Sequence, residues 1–137
     1  MTLNEIMSTN LVQIDPMESA AVAARALARY NVGALPVCDA GGRLRGIVTD
    51  RDLVVRCLAL ETSPANTRVE EVMTSRVVSA PPDMDAAEAA ALMGRRQIRR
   101  LPVVQDGQLR GMVSLSDLAG VEAERALGAI SKNIANF

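Results

Sequence analysis

The 137-residue sequence predicts an α/β fold of the α+β kind. Its unit is a β-α-β-β-α repeat, present twice. The small sheets are expected to pack about a pseudo-two-fold axis, with helices outside. Three observations lead there. First, the second half repeats the first: "EIMSTNLVQIDPMESAAVAA" aligns with "EVMTSRVVSAPPDMDAAEAA", and "ALPVCDAGGRLRGIVTDRDL" with "RLPVVQDGQLRGMVSLSDL". Glu5 matches Glu71, Met7 matches Met73, Pro16 matches Pro82 and Pro36 matches Pro102. One residue is then lost in the second copy, and Gly46 matches Gly111. A period this long, seen twice, marks paired supersecondary units rather than a solenoid. Second, each half holds one Ala-rich segment, and Ala is the best helix former. Third, each half holds two short apolar runs around a Gly-containing turn, the pattern of a β-hairpin.

Each half reads in the same order. A short helical turn ends at Met7 or Met73, and an extended stretch follows, "LVQI" or "RVVSA". Pro16 and Pro82 mark turns, and acidic residues then open helices over Glu18–Tyr30 and Met84–Gln97. Strands follow at Ala34–Cys38 with Leu44–Val48, and at Leu101–Val104 with Leu109–Val113. Their turns, "DAGG" and "QDG", let Gly supply positive φ. A second helix follows each hairpin, the last running through "SDLAGVEAERALGAI". A sheet this small does not stand alone, so the copies are expected to pack together. The boundaries are repeat 1 over 1–62 with its N-terminal segment, a linker over 63–68, repeat 2 over 69–127 and a tail over 128–137.

Composition narrows the function. With 49% hydrophobic residues a core is expected, and 23% charged residues is ordinary. No apolar run approaches the roughly 18 residues of a membrane span. The opening "MTLNEIMSTN" lacks the basic flank and apolar core of a signal peptide, which points to the cytoplasm. A net charge of −1 argues against general nucleic-acid binding. Tyr30 and Phe137 are the only aromatics, so stacking platforms for single strands are missing. There is no His, which removes His-based triads, general bases and metal ligands. Cys38 and Cys57 lie in apolar contexts without CxxC spacing and read as buried free thiols. The seven Met residues are scattered and read as core filling.

The feature that carries chemistry is "GIVTDRDL" (Gly46–Leu53), repeated as "GMVSLSDL" (Gly111–Leu118). Thr49-x-x-Asp52 and Ser114-x-x-Asp117 fall where a strand gives way to a helix. One reading is a capping box: the hydroxyl accepts from the N3 amide, and the carboxylate answers the N-cap amide or the dipole. The other is a ligand site. Amides and a hydroxyl at a helix start suit a phosphate, and a carboxylate one turn on accepts both hydroxyls of a ribose. The readings are compatible. Arg95, Arg96, Arg99 and Arg100 form the densest basic cluster. They suit a solvated helix C-terminus, or Arg99 or Arg100 turns inward to phosphates. Arg51 is a further candidate.

The whole sequence, through "VGALPVCDAGGRLRGIVTDRDL", "IRRLPVVQDGQLRGMVSLSDL" and the leading "IMSTNLVQI" and "VMTSRVVSA", resembles a tandem pair of CBS domains, a Bateman module, from Leu3 to about Leu127. The resemblance implies binding of adenosine-type ligands (AMP, ADP, ATP or S-adenosylmethionine) in the cleft between the repeats. It places the ribose on Asp52 and Asp117, and ribose or phosphate on Thr49 and Ser114. It also gives Leu35, Pro36, Arg100, Leu101 and Pro102 to the adenine and phosphate side, with Val12 and Val78 as further walls. The function expected is a regulatory sensor that passes binding to a partner or an assembly state. The alternative is a protein-interaction module with vestigial ligand sites. An enzyme is not expected, nor a required cofactor or metal. A homodimer is expected, with Leu118, Val121, Ala126 and Ile130 as candidates for its apolar face.

Overall fold

The computed structural model describes residues 1–118. The last helix expected from the sequence, with Val121, Ala126 and Ile130, lies outside them. The elements run α1 (Leu3–Ile6), α2 (Ala20–Tyr30), β1 (Ala34–Cys38), β2 (Leu44–Thr49), α3 (Asp50–Leu53), a π-helical turn (Val54–Leu58) and a 3₁₀ turn (Pro64–Asn66). Then come α4 (Val69–Val72), α5 (Ala86–Arg96), β3 (Arg100–Gln105) and β4 (Gln108–Ser114). This is a mixed α+β architecture with two small two-stranded antiparallel sheets, β1–β2 and β3–β4.

Both long helices start two residues later than expected, because a side chain takes the N-cap. Ser19 Oγ accepts from the Val22 amide at 3.2 Å, and Asp85 Oδ2 accepts from the Ala87 amide at 3.1 Å. Both end on a left-handed residue, Asn31 (φ 52°) and Gln97 (φ 56°), so α5 closes at Arg96. The hairpins form as read. Gly42 and Gly107 hold φ near 80° in the turns, and each hairpin carries a bulge at matching positions, Val37/Cys38 and Val103/Val104. In the first turn Asp39 Oδ1 accepts from the amides of Gly41 (3.0 Å) and Arg43 (3.1 Å). The Arg43 amide is the main reason the Asp39 carboxyl is held below its usual range.

The stretches expected as leading strands are shorter than read. "LVQI" contributes one parallel bridge, Ile14 to Val37, and "RVVSA" one, Ala80 to Val103. The opposite sheet edges are closed by residues that precede each repeat's extended stretch. Thr74 exchanges both backbone bonds with Ile47 (2.9 and 2.8 Å), and Ser8 does so with Met112 (2.9 and 3.0 Å).

Two compact units result, and they do not follow the order of the repeats. One spans Val12–Val77; the other joins Met1–Leu11 to the chain from Val78 onward. Each therefore borrows the lead-in segment of the other repeat. In the first, Ile14, Ala23, Leu35, Val37, Val48, Cys57, Val69 and Val72 form the core, with Val12 and Met73 packed against it. In the second, Leu3, Ala89, Met93, Leu101, Val103, Val113 and Leu118 do so, with Met7 and Val78 against them. Leu118, expected on an open dimer face, is 0% exposed in this core. Fully burying one such side chain contributes about 1.5–3 kcal/mol, a sum too large to leave on an outer surface.

Candidate functional site

The repeated glycine is explained by close approach. A Cβ on Gly46 would lie 2.6 Å from the Thr74 carbonyl oxygen and 2.9 Å from Met73 Sδ. On Gly111 it would lie 2.6 Å from Met7 Sδ and 2.8 Å from the Ser8 carbonyl oxygen. Each glycine thus admits the borrowed Met-Ser/Thr segment against the second hairpin strand, three residues before the site hydroxyl.

In the unit of the first hairpin, β2 delivers Thr49 to the start of α3. Thr49 Oγ1 accepts from the Asp52 amide at 3.0 Å, and Asp52 Oδ2 accepts from the Thr49 amide at 3.0 Å. The capping box is real and reciprocal. Asp52 is only 7% exposed, the one buried charged residue among those described. It has two further neighbours that the sequence reading missed. Thr74 Oγ1 donates to its carboxylate, 3.3 Å from Oδ1 and 3.5 Å from Oδ2. Arg56 Nε lies 4.0 Å from Oδ1, while Arg56 Nη1 donates to the carbonyl oxygens of Met73 (2.9 Å) and Val72 (3.4 Å). The signal for Thr74 was present, since a hydroxyl residue follows the matched methionine in both copies, Ser8 and Thr74. Arg56 carried no such mark, because the residue four after Asp117 is Val121.

The other expected residues of this half divide. Leu35 is 1% exposed, pairs in register with Val48 and belongs to the core of this unit. Pro36 is also buried, and its carbonyl oxygen accepts from Ile14 at 3.0 Å. Val12 packs on the same core. Arg51 is exposed, beside Asp50, whose Oδ1 accepts the Arg51 amide at 2.8 Å.

The second unit repeats the box. Ser114 Oγ accepts from the Asp117 amide at 3.3 Å, and Asp117 Oδ2 accepts from the Ser114 amide at 2.8 Å. Ser116 Oγ lies 2.7 Å from Ser114 Oγ. Asp117 is more open than Asp52. Arg100, exposed, is the register partner of Ser114, and Arg99, also exposed, accepts the Leu115 amide on its carbonyl oxygen at 3.2 Å. Leu101 is 0% exposed and belongs to the core, Pro102 is buried, and Val78 packs against that core. Each half thus gathers a hydroxyl, a carboxylate and two N–H groups at one strand end. Among the described residues no group of three or more Cys, Asp or Glu is placed to hold a metal, and none forms a membrane-spanning helix.

The CBS domain pattern matches residues 3–58 and 69–124, so the chain belongs to the CBS domain family. It carries a tandem pair, a regulatory module. A CBS domain-containing protein of Bacillus subtilis, YhcV, is 39% identical over 118 residues, covering 86% of this chain and 83% of that protein. Hypoxic response protein 1 of Mycobacterium tuberculosis is 29% identical over 133 residues, covering 97% and 93%. A crystal structure of Hypoxic Response Protein I with two coordinated zinc ions superposes with a TM-score of 0.78 at 29% identity, covering 87% of this chain and 97% of that one. The CBS domain pair of protein MJ0100, solved with 5′-methylthioadenosine and S-adenosyl-L-methionine, superposes with a TM-score of 0.74 at 28% identity, covering 91% and 98%.

Proposed function

We propose that this protein is a sensor that binds adenosine-type ligands at Thr49/Asp52 and Ser114/Asp117 and passes binding to a partner or to its own assembly state. The observation that carries the reading is Asp52: a buried carboxylate at a strand end, framed by a hydroxyl and flanked by Arg56 on the adjacent turn. Two carboxylate oxygens match the two hydroxyls of a ribose. The MJ0100 pair, which holds two adenosyl compounds, supports the class. The ligand is an adenine nucleotide or S-adenosylmethionine, and the protein acts by binding rather than by catalysis. Occupancy shifts an equilibrium only as far as affinity differs between its states. The regulated state includes a homodimer; the exposed Val54, Val55, Leu58 and Leu60 favour self-association.

Thermal unfolding tests this. At a free ligand concentration about 100 times the dissociation constant, stability rises by roughly 2.7 kcal/mol. An unchanged midpoint with millimolar AMP, ADP, ATP and S-adenosylmethionine, on protein stripped of ligand, sinks the proposal. That outcome favours the second reading, an interaction module, for which both reciprocal capping boxes already give the Thr/Ser and Asp residues a structural role.

A further inference from the structure

The two motifs share a backbone frame but not a charge. Ala34 is the register partner of Thr49, and Arg100 is that of Ser114. The Asp50 amide donates to the Gly33 carbonyl at 3.0 Å, and the Leu115 amide to that of Arg99 at 3.2 Å. So Gly33 and Ala34 in one unit stand where Arg99 and Arg100 stand in the other. The residue after the hydroxyl also changes, from Asp50 to Leu115. Asp50 is exposed, and its Oδ1 already accepts the Arg51 amide at 2.8 Å. Leu115 instead packs against its core. Near Thr49, Arg51 is exposed and its backbone amide donates to Asp50, while Arg56 donates to the Met73 and Val72 carbonyls and lies 4.0 Å from Asp52.

From this we infer that the sites are sorted by ligand charge. The Ser114/Asp117 site takes an adenosyl ligand that carries phosphate. The Thr49/Asp52 site takes an adenosyl ligand without phosphate. The inference rests on the adenosyl reading above. A phosphate beside Ser114 meets the guanidinium of Arg100, whose fork matches phosphate oxygens. The same phosphate beside Thr49 meets the carboxylate of Asp50, and Ala34 offers no cation. Near a protein surface a like charge within about 10 Å lowers affinity by about tenfold or more, and an opposite charge raises it.

Calorimetric titration of stripped protein with AMP and with adenosine tests the sorting. Asp52→Asn leaves the second site and Asp117→Asn the first. In Asp52→Asn, AMP binds about tenfold or more tightly than adenosine. Adding Arg100→Ala lowers the affinity for AMP more than that for adenosine and removes the advantage. In Asp117→Asn, adenosine binds more tightly than AMP, and adding Asp50→Asn raises the affinity for AMP. Asp50 and Arg100 are both exposed, and circular dichroism checks that each variant is folded. The same AMP-to-adenosine ratio in both single variants overturns the sorting while leaving the adenosyl sites in place. A folded single variant that binds neither ligand, when wild type binds, overturns it too. Wild type that binds neither ligand overturns the adenosyl reading itself.

Discussion

The hydroxyl of Thr74 donates to the carboxylate of Asp52, 22 residues earlier in the chain, at 3.3 Å from Oδ1. Thr74 is also the residue that pairs with Ile47 on the edge of β2. The Asp52 carboxylate therefore touches the segment that leads into the second repeat. A ligand that draws on Asp52 competes with this hydroxyl, which gives binding at the site a physical route to the Met73–Thr74 segment.

Replacing Thr74 with Val removes the hydroxyl and keeps the branched shape. A buried carboxylate then loses one partner, at a cost of about 1–3 kcal/mol. Urea denaturation of ligand-free Thr74→Val should show that loss, and Thr74→Ser should stay near wild type. Equal stability of Thr74→Val and wild type would mean the contact is not formed in solution.

Gly46→Ala and Gly111→Ala each force a methyl group into the borrowed segment, within 2.6–2.8 Å of its atoms. Overpacking of this kind costs about 1–3 kcal/mol. Both added methyls meet a backbone carbonyl oxygen, Thr74 at 2.6 Å for Gly46 and Ser8 at 2.8 Å for Gly111, so both should be destabilised, Gly46 the more because its backbone contact is the closer. Denaturant midpoints of the two variants measure the order. Gly41, whose added Cβ would meet only Asp39 Oδ1 at 3.4 Å, serves as the control.

The thiol of Cys38 is 3% exposed, and burial, with Asp39 beside it, pushes its pKa from 9.0 up to about 11. The folded thiol keeps its proton where the unfolded one has lost it. Stability from this group is therefore full below pH 9 and falls as pH rises from 9 towards 11, by up to about 3 kcal/mol. Comparing wild type with Cys38→Ala between pH 8 and 11 isolates the effect: the wild-type midpoint should fall more steeply. Parallel curves would contradict it.

Much of this was legible in the sequence, for reasons that differ by element. The hairpins were readable because Gly42 and Gly107 hold conformations that turns demand and the apolar runs flank them closely. The boxes were readable because Thr49-x-x-Asp52 and Ser114-x-x-Asp117 are local patterns. The helix starts were misplaced by two residues, since Ser19 and Asp85 decide them through a single side-chain bond each. The exchange of lead-in segments was not legible. A one-residue bridge such as Ser8 to Met112 has no periodicity, and an alignment of repeats is blind to which hairpin a segment joins. Arg56 was hidden for the same reason: its partners at Val72 and Met73 lie across the fold, not along the helix.

The central claim is that Asp52 and Asp117 are there for a ribose as well as for the reciprocal backbone bonds they make with Thr49 and Ser114. Calorimetric titration of stripped wild type, Asp52→Asn and Asp117→Asn with AMP and adenosine measures it most directly. Asn keeps the volume and an acceptor oxygen but loses the charge, and charge-assisted bonds are about twice as strong as neutral ones. Losing two to a diol costs on the order of 2–3 kcal/mol. The account predicts that each substitution removes one binding event, weakened more than tenfold, and leaves the other intact. Both variants binding as tightly as wild type, with only the ligand-free fold weakened, would contradict it and leave the two carboxylates as caps.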